Sequence, residues 1–345
     1  MPRTRPDVTD TELDAPVHAD AREEAALHES AIVVERTDRR QWRVAGPKAM
    51  DVLNGLVTND VAGVTPGSGC YAAALTPKGK VIADLRIFAR DDDYLVDTSA
   101  AAAPGWAEVL RKYVNPRLAK YEEITDATAD VAVAGPSAAE VIGTAFGWNA
   151  GMLSGLMPHA HTALPRGGAV WLVARTPEIG AFACDLLVAA EESARVVALL
   201  TEAGAMPSSL ATWEVRRIAA GWPAWGRDMD ESTLAQEASL DALSAISYDK
   251  GCYTGQETVA RVHFRGHVNR YLRRARYSSG VEIPGGAEVF DHATGKSVGD
   301  VRSSAISAQD GGVAIAMIRR EVTAPVTLQA RWNETAADFS LLPES

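Results

Sequence analysis

The sequence predicts an α+β protein of two or three folded modules, of which the last is all-β. Its 345 residues are more than one small hydrophobic core accommodates. Helical and strand-like apolar spacings alternate along the chain as far as residue 267. From Val268 onward, short β runs are separated by glycine-rich turns, which is typical of a small barrel or sandwich.

The N-terminal segment differs in composition from the rest of the chain. Residues 1–28 are rich in Asp, Glu, Ala, Thr and Pro with little periodicity, so we expect an acidic mobile tail. The formal net charge of -11 argues against broad nucleic-acid binding, which needs a positive field. No apolar run approaches twenty residues and no apolar signal-peptide core follows the start, so the sequence predicts a cytoplasmic protein without a membrane span.

The first module is predicted to contain one helix and five strands. The helix covers residues 47–57, and the strands are predicted at 31–34, 41–47, 69–75, 81–89 and 94–97. Within the strand at 81–89, Asp84 and Arg86 point to the same face because side chains alternate. That face could line a pocket, or it could be a half-exposed surface with a cross-strand ion pair, which is the commoner case.

The second module is predicted as a small α+β layer over residues 130–207. A strand at 131–134 leads into a helix at 137–146, and two more strands precede a helix at 191–203. The Gly-, Pro- and His-rich stretch 147–168 is predicted to be an irregular loop. Its His159 and His161 have a spacing that suits a metal, but without nearby acidic or Cys partners we expect exposed loop histidines.

One segment carries the chemistry, residues 246–267 (ISYDKGCYTGQETVARVHFRGH). Lys250 lies two residues from Cys252, so its ammonium could stabilise a thiolate if both side chains face one cleft. Gln256 and Glu257 offer an amide and a carboxylate that suit a nitrogen-rich heterocycle such as a pterin. The chain has three cysteines without a C-x-x-C pair, so each of them could equally be a small core residue.

This segment resembles the signature of the YgfZ family of folate-binding proteins, K-G-C-[FY]-x-G-Q-E. The resemblance extends from about Glu29 to the C-terminus. It is supported by four further stretches, which are Leu53–Asp60, Thr76–Lys80, Arg217–Gly221 and Gln236–Ala238. It implies the fold of the glycine-cleavage T-protein, an aminomethyltransferase, with two α+β modules around a central cleft and a C-terminal small β-barrel. Residues 29–128 with 213–267 would form the folate-binding module, 130–207 an inserted ferredoxin-like module, and 268–345 the barrel.

Three departures separate the chain from the T-protein pattern. The Asp-Asp pair of that enzyme corresponds to Ala83 and Asp84, so one carboxylate remains. Its pterin-binding Glu corresponds to Ala219, and its G-R-E to Gly255-Gln256-Glu257. These differences count against aminomethyl transfer, whereas Cys252 counts for a YgfZ-type role.

The resemblance therefore implies a protein that binds tetrahydrofolate or a derivative and assists iron–sulfur cluster assembly or repair in client enzymes. Cys252 and Lys250 would be the working residues. The predicted folate-binding residues are Asp84, Arg86, Arg217, Glu237, Tyr253, Gln256 and Glu257. A folate-dependent aminomethyl- or methyltransferase is one alternative, and a role associated with tRNA modification is another. The six Arg and two His within residues 261–276 could contact RNA, receive a polyglutamate tail, or only offset the acidic remainder of the chain.

Overall fold

The computed structural model describes residues 14–166, 169–278 and 280–343. Three sheets organise these residues, and each has its own apolar core. Within the described residues, no helix is both long enough and apolar enough to cross a bilayer.

The first sheet is antiparallel and has five strands in the order β4-β5-β6-β3-β7. The strands are β3 (Arg39–Ala45), β4 (Gly69–Leu75), β5 (Val81–Ala89), β6 (Asp93–Ser99) and β7 (Lys120–Glu123). Helices α2 (Ala49–Leu56) and α3 (Ala103–Tyr113) cover one face, where Trp42, Leu53 and Trp106 belong to one buried core. Strands β4 and β5 have the bounds that the sequence predicts, because apolar alternation and the Thr76–Gly79 turn define them.

The second sheet has six strands in the order β12-β2-β8-β11-β10-β9. They are β2 (Ile32–Glu35), β8 (Thr128–Ala134), β9 (His161–Arg166), β10 (Ala169–Arg175), β11 (Ala183–Ala189) and β12 (Met206–Pro207). The helices α4 (Ala138–Phe146), α5 (Ala150–Ser154) and α6 (Ser193–Glu202) accompany it, and two short 3-10 helices cover Thr125–Ala127 and Ala190–Glu192.

Two sequence predictions are wrong in this module. Strand β2 pairs with β8, with Ile32 opposite Ala134, so the first module does not begin at residue 29 as expected. The stretch predicted as an irregular loop contains α5 and β9, since Asn149 caps the helix and β9 pairs with β10. Residues 167–168 of that stretch lie outside the described residues.

The C-terminal sheet closes into a six-stranded barrel. Its strands are β13 (Arg270–Tyr277), β14 (Glu288–Phe290), β15 (Ser297–Ser307), β16 (Gly311–Arg319), β17 (Val326–Trp332) and β18 (Thr335–Leu341). The ladder between β15 and β16 completes the ring, so each barrel strand has two neighbours. Along the chain, α7 (Leu210–Ala220) and α8 (Gln256–Arg265) follow the last strand of the second sheet and precede the first strand of the barrel. Ser209 caps α7 and Gly221 ends it in the left-handed conformation, as predicted.

The predicted mobile tail is wrong for residues 14–28, which form β1 (Val17–His18) and most of α1 (Ala21–Glu29). Strand β1 adds to the barrel beside Ala305. The buried Glu24 carboxylate accepts hydrogen bonds from the Ser307 hydroxyl (2.7 Å) and the Ala308 N–H (2.5 Å). Glu23 accepts from the Ser209 N–H (3.0 Å) at the cap of α7. The segment is ordered because two carboxylates tie it to two other elements, and residues 1–13 lie outside the described residues.

Candidate functional site

The first and second sheets pack face to face through a buried cluster of charged side chains, which we call the sheet joint. It consists of Arg36, Arg39, Arg86, Asp97, Asp130, Glu178 and Asp185. The Arg86 side chain is 2% exposed, and its Nε lies 2.7 Å from Asp97 Oδ1. Its other two nitrogens contact Asp185 and Asp130.

Ionisation in the sheet joint is set by burial and by these ion pairs. Burial raises the pKa of both Asp130 and Asp185, and the negative charge of Asp185 raises the pKa of Asp130 further. Burial also acts to raise the pKa of Glu178, but the charges of Arg36, Arg86 and Arg39 together hold it well below the usual range. Three guanidinium groups therefore face four carboxylates, and the raised pKa of Asp130 and of Asp185 makes these two the carboxylates that accept a proton most readily.

The position of Arg86 corrects both interpretations of the strand face that it shares with Asp84. Around Arg86 and Phe88 the face is neither an open pocket wall nor half-exposed, because the second sheet covers it. The cross-strand ion pair is present, since Arg86 stands opposite Asp97 in the β5–β6 ladder. All guanidinium nitrogens of Arg86 have acidic partners, so the predicted folate contact has no free donor.

Arg217 is likewise occupied. Its guanidinium contacts Glu214 (2.7 Å) and the buried Asp228 (2.7 Å), and it donates to the Trp222 carbonyl. This arrangement fixes the turn after α7 and leaves no nitrogen of Arg217 for a ligand. The predicted Glu237 accepts from the Leu234 N–H (2.9 Å) and from Arg270 (3.0 Å) on the wall of a cavity of about 950 Å³.

Asp84 has a different environment from Arg86, although both point to the same face of β5. The Tyr71 hydroxyl donates to Asp84 Oδ2 at 3.0 Å, whereas the buried Oδ1 has no hydrogen-bond partner. Burial raises the pKa of this carboxyl, although the Arg39 charge and the Tyr71 hydroxyl oppose the effect. Asp84 is therefore a carboxyl with unused hydrogen-bonding capacity.

The Tyr71 ring, whose hydroxyl contacts this carboxyl, lies beside two further rings, and together these residues form what we call the ring site, which consists of Tyr71, Asp84, His159 and Trp222. The Tyr71 ring centroid lies 5.0 Å from that of Trp222 and 6.0 Å from that of His159. Tyr71 is buried, whereas His159 and Trp222 are half-buried. The site lies where the first sheet, α7 and the barrel share an apolar core, with Trp225, Tyr248 and Tyr253 at its edge.

Sequence reasoning missed three of the four residues of the ring site. Tyr71 could have been found, because it shares a sheet face with Asp84 across a predicted hairpin. Trp222 had a weaker signal, an aromatic just after a glycine helix stop. The exposed-loop prediction for the histidines is wrong, because burial lowers the pKa of His159 to about 4 and His161 is buried.

The segment predicted to carry the chemistry is a loop that rests on the end of α2. Lys250 Nζ donates to the carbonyl oxygens of Asn54 (2.6 Å), Val57 (2.9 Å) and Asn59 (2.6 Å). These are carbonyls at the helix end, where a cation is favoured. Burial lowers the pKa of Lys250 to about 8, so it still carries its charge at neutral pH.

The glycines of this loop are not equivalent. Gly255 has φ +87°, and a Cβ there would lie 2.6 Å from the Thr76 carbonyl oxygen, so only glycine fits. At Gly251 an added Cβ would meet nothing within 4 Å, so the space around this position does not require glycine. Gln256 Oε1 accepts from the Tyr253 N–H at 2.9 Å and thereby closes the turn into α8.

The structure separates the remaining predicted residues by exposure. Cys252 and Glu257 are exposed, and Tyr253 packs against the apolar core to which Tyr71 belongs. The Lys250 charge acts on the half-buried Cys70, whose thiol pKa burial raises to about 12. Asn59 connects loop and ring site, because its carbonyl accepts from Lys250 and its side-chain amide donates to the Tyr71 carbonyl (2.7 Å).

Comparison with solved structures defines the class of the protein. A crystal structure of the glycine cleavage system aminomethyltransferase T from Bartonella henselae matches with a TM-score of 0.81 at 19% identity. The match covers 93% of this chain and 87% of that one. The molecule therefore has the T-protein fold, and the predicted fold class is confirmed, with its closed C-terminal barrel.

Sequence comparison narrows the class. Residues 11–250 match the family described as the GCVT N-terminal domain. The tRNA-modifying protein YgfZ of Edwardsiella ictaluri is 28% identical over 327 residues, 92% of this chain and 93% of the relative. The same-named protein of Escherichia coli O157:H7 is 30% identical over 234 residues, 66% and 67% of the two chains. The chain belongs to the GCVT family and, within it, to the YgfZ family.

The relationship to transferases is less complete. An aminomethyltransferase of Alcanivorax borkumensis is 28% identical over 236 residues, 66% of this chain. The match spans 63% of that relative, which is less than two thirds of its length. The family match begins at residue 11, inside the segment that the sequence resemblance left uncovered.

Proposed function

We propose that this protein binds a reduced folate at the ring site and assists iron–sulfur cluster assembly or repair in partner enzymes through Cys252. The observation that carries the proposal is the unpaired Oδ1 of Asp84, a carboxyl that contacts Tyr71, whose ring in turn lies 5.0 Å from that of Trp222. A pterin has two stacking faces and an N–H edge, which suit an aromatic wall and a carboxyl oxygen.

The position of Cys252 supports the second half of the proposal. The thiol is exposed, and the next residue, Tyr253, packs against the apolar core to which Tyr71 belongs. A partner protein could therefore reach the sulfur while a folate is bound. Among the described residues, no group of three or more His, Cys, Asp or Glu is arranged to hold a metal ion. A cluster handled at Cys252 would take its other ligands from the partner.

Tetrahydrofolate titration into the wild type, Cys252→Ser and Asp84→Asn tests both halves. We expect Cys252→Ser to bind like the wild type but to fail in complementation of a strain that lacks the protein. Asp84→Asn should weaken binding about ten-fold through loss of a charge-assisted hydrogen bond. Cys70→Ala is the matched cysteine control and should behave as the wild type in both assays. Full complementation by Cys252→Ser would contradict the thiol role.

A second candidate is folate-dependent aminomethyl or methyl transfer, which the buried Asp84 favours because its raised pKa suits proton exchange. Turnover of aminomethylated or N-methylated donors with tetrahydrofolate would be lost in Asp84→Ala and retained in Cys252→Ser. The opposite pattern, or no turnover at all, supports the first proposal.

The link to tRNA modification is proposed to be indirect, through client enzymes. YgfZ relatives are named tRNA-modifying proteins, but part of the basic stretch is already neutralised here. Arg270 pairs with Glu237, and Arg276 pairs with Asp310 (2.7 Å). A tRNA affinity that falls steeply with salt would instead indicate direct phosphate contacts. The cytoplasmic location predicted from the sequence is part of this proposal.

A further inference from the structure

A loop of the second module crosses onto the first sheet and carries His159 to the ring site. The His161 N–H donates to the Gly67 carbonyl at 2.9 Å, and its Nε2 lies 2.7 Å from the Ala89 carbonyl oxygen. A Cβ on Gly69 would lie 2.6 Å from the His159 carbonyl oxygen, so a larger residue there would push the loop away. The contacts therefore fix the height of His159 above strand β4.

The backbone of His159 is held in an uncommon conformation. Its φ of +64° lies in the left-handed region, which only a few per cent of residues other than glycine adopt, with Asn, Asp and His the commonest among them. The His159 N–H donates to the Arg175 carbonyl at 2.9 Å, which helps to maintain this conformation. Strain of this kind often persists where it places a side chain for function.

The imidazole is neutral and has an unused polar atom. Its ring is nearly parallel to that of Tyr71, with 12° between the planes, and its centroid lies 6.3 Å from that of Trp222. Nδ1 is shielded from solvent and has no hydrogen-bond partner, as is true of Asp84 Oδ1. Two unpaired polar atoms therefore belong to groups that contact the same tyrosine, one through its ring and one through its hydroxyl.

We propose that His159 is a positioning residue of the ring site, and that its Nδ1 hydrogen-bonds the polar edge of a bound pterin-class heterocycle. This inference rests on the proposed folate function and assigns the second module a direct part in ligand binding. Both unpaired atoms are buried, whereas the His159 and Trp222 rings of the same site are only half-buried. Binding therefore requires the His159 or Trp222 ring to rotate outward, which the partial exposure of both permits.

Three substitutions of His159 distinguish the contributions of its aromatic ring, its Nδ1 atom and its left-handed backbone to binding. His159→Asn keeps a polar atom near the position of Nδ1 and tolerates the left-handed backbone. His159→Phe keeps an aromatic ring without the nitrogen, and His159→Gly relieves the backbone while removing the ring. His267→Phe, at an exposed histidine, is the matched control. Tetrahydrofolate affinity is measured by tryptophan fluorescence and calorimetry, and each variant is first checked for folding by thermal unfolding.

We expect His159→Phe and His159→Gly to weaken tetrahydrofolate binding about ten-fold, His159→Asn to stay within about three-fold of the wild type, and His267→Phe to bind unchanged. If His159→Phe does not fold, the tetrahydrofolate affinity of His159→Gly decides whether the inference holds. Wild-type affinity in the glycine variant, or equal losses in the asparagine and glycine variants, would overturn the inference. Absence of binding by the wild type would instead overturn the proposed function.

Discussion

The sheet joint and the ring site meet on strand β5, where Asp84 and Arg86 are two residues apart. In the sheet joint, every nitrogen of the buried Arg86 has an acidic partner. In the ring site, Asp84 uses one oxygen and leaves the other without a partner, and His159 has a similarly unused nitrogen. Two neighbouring polar groups of similar burial therefore differ in how completely they are satisfied.

Asp130 and Asp185 in the sheet joint also have an unpaired Oδ1, but the other oxygen of each pairs with Arg86, whereas the other oxygen of Asp84 accepts only from the uncharged Tyr71 hydroxyl. A satisfied buried ion network stabilises one arrangement of the two sheets and offers nothing to a ligand. An unsatisfied buried group costs free energy in the empty protein, and a ligand that supplies the missing hydrogen bond recovers part of it. By this criterion, Arg86 and Arg217 hold the fold together, whereas Asp84 and His159 are proposed to bind.

The largest expected effect comes from breaking the sheet joint with Arg86→Met. Removing this buried cation leaves Asp130 and Asp185 without the guanidinium that pairs with them and takes one of two arginine partners from Asp97, so we expect the free energy of unfolding to fall by about 3–5 kcal/mol. Urea denaturation measures the loss. The matched control Arg90→Met removes a partly exposed guanidinium and should cost less than about 1 kcal/mol. A loss as small as that of the control would mean that the sheet joint contributes little.

The second expected effect is a loss of stability in acid that comes from the ring site. Burial lowers the pKa of His159 from about 6.5 in the unfolded chain to about 4. Between these values the unfolded chain binds a proton that the folded chain does not, so stability decreases as pH falls from 6.5 towards 4. The contribution is about 2–3 kcal/mol. Glu178 in the sheet joint remains charged throughout this window.

His159→Asn should remove this pH-dependent contribution and leave the remaining acid sensitivity unchanged. The measurement is the free energy of unfolding from pH 7 to pH 4 for wild type and variant, plotted as their difference. Two parallel curves would contradict the buried neutral imidazole. The cysteines and tyrosines do not titrate in this range, so they do not affect the difference.

The smallest expected effect compares the contributions of two cations to stability. Lys250 donates to neutral carbonyl groups, whereas Arg86 pairs with carboxylates. Lys250→Met leaves the carbonyls of Asn54, Val57 and Asn59 without their donor, and we expect a loss of about 1–2 kcal/mol by thermal unfolding. The exposed turn residue in Lys78→Met is the control and should change stability by less than about 0.5 kcal/mol. A loss equal to that of Arg86→Met would show that the charge of the partner is unimportant.

Local elements were predictable from the sequence because short-range patterns define them. Apolar alternation and a turn set β4 and β5, and a serine cap and a glycine stop set α7. The T-protein fold followed from the resemblance of the Lys250–Glu257 segment. Helix α3 had no comparable signal at its start, because Ala102 makes no side-chain capping hydrogen bond.

The candidate site was only partly predictable, because its contacts join distant parts of the chain. Asp84 was identified from strand alternation and family resemblance, but nothing near it in sequence indicated that His159 would lie above Tyr71. The partners of Arg86 come from residues 97, 130, 178 and 185 on separate elements, so local periodicity could not show that the cation was already satisfied. Lys250 was predicted beside a thiol but binds the end of α2.

The N-terminal helix α1 has a practical consequence for anyone who shortens or fuses this protein. Because its composition suggests a dispensable tail, a truncated version would naturally begin near residue 29. Such a cut would remove Glu24 from beneath the Ser307–Ala308 turn and Glu23 from the start of α7. The barrel would lose the hydrogen bonds that connect it to helix α1. Affinity tags and protease sites are therefore better placed before residue 14.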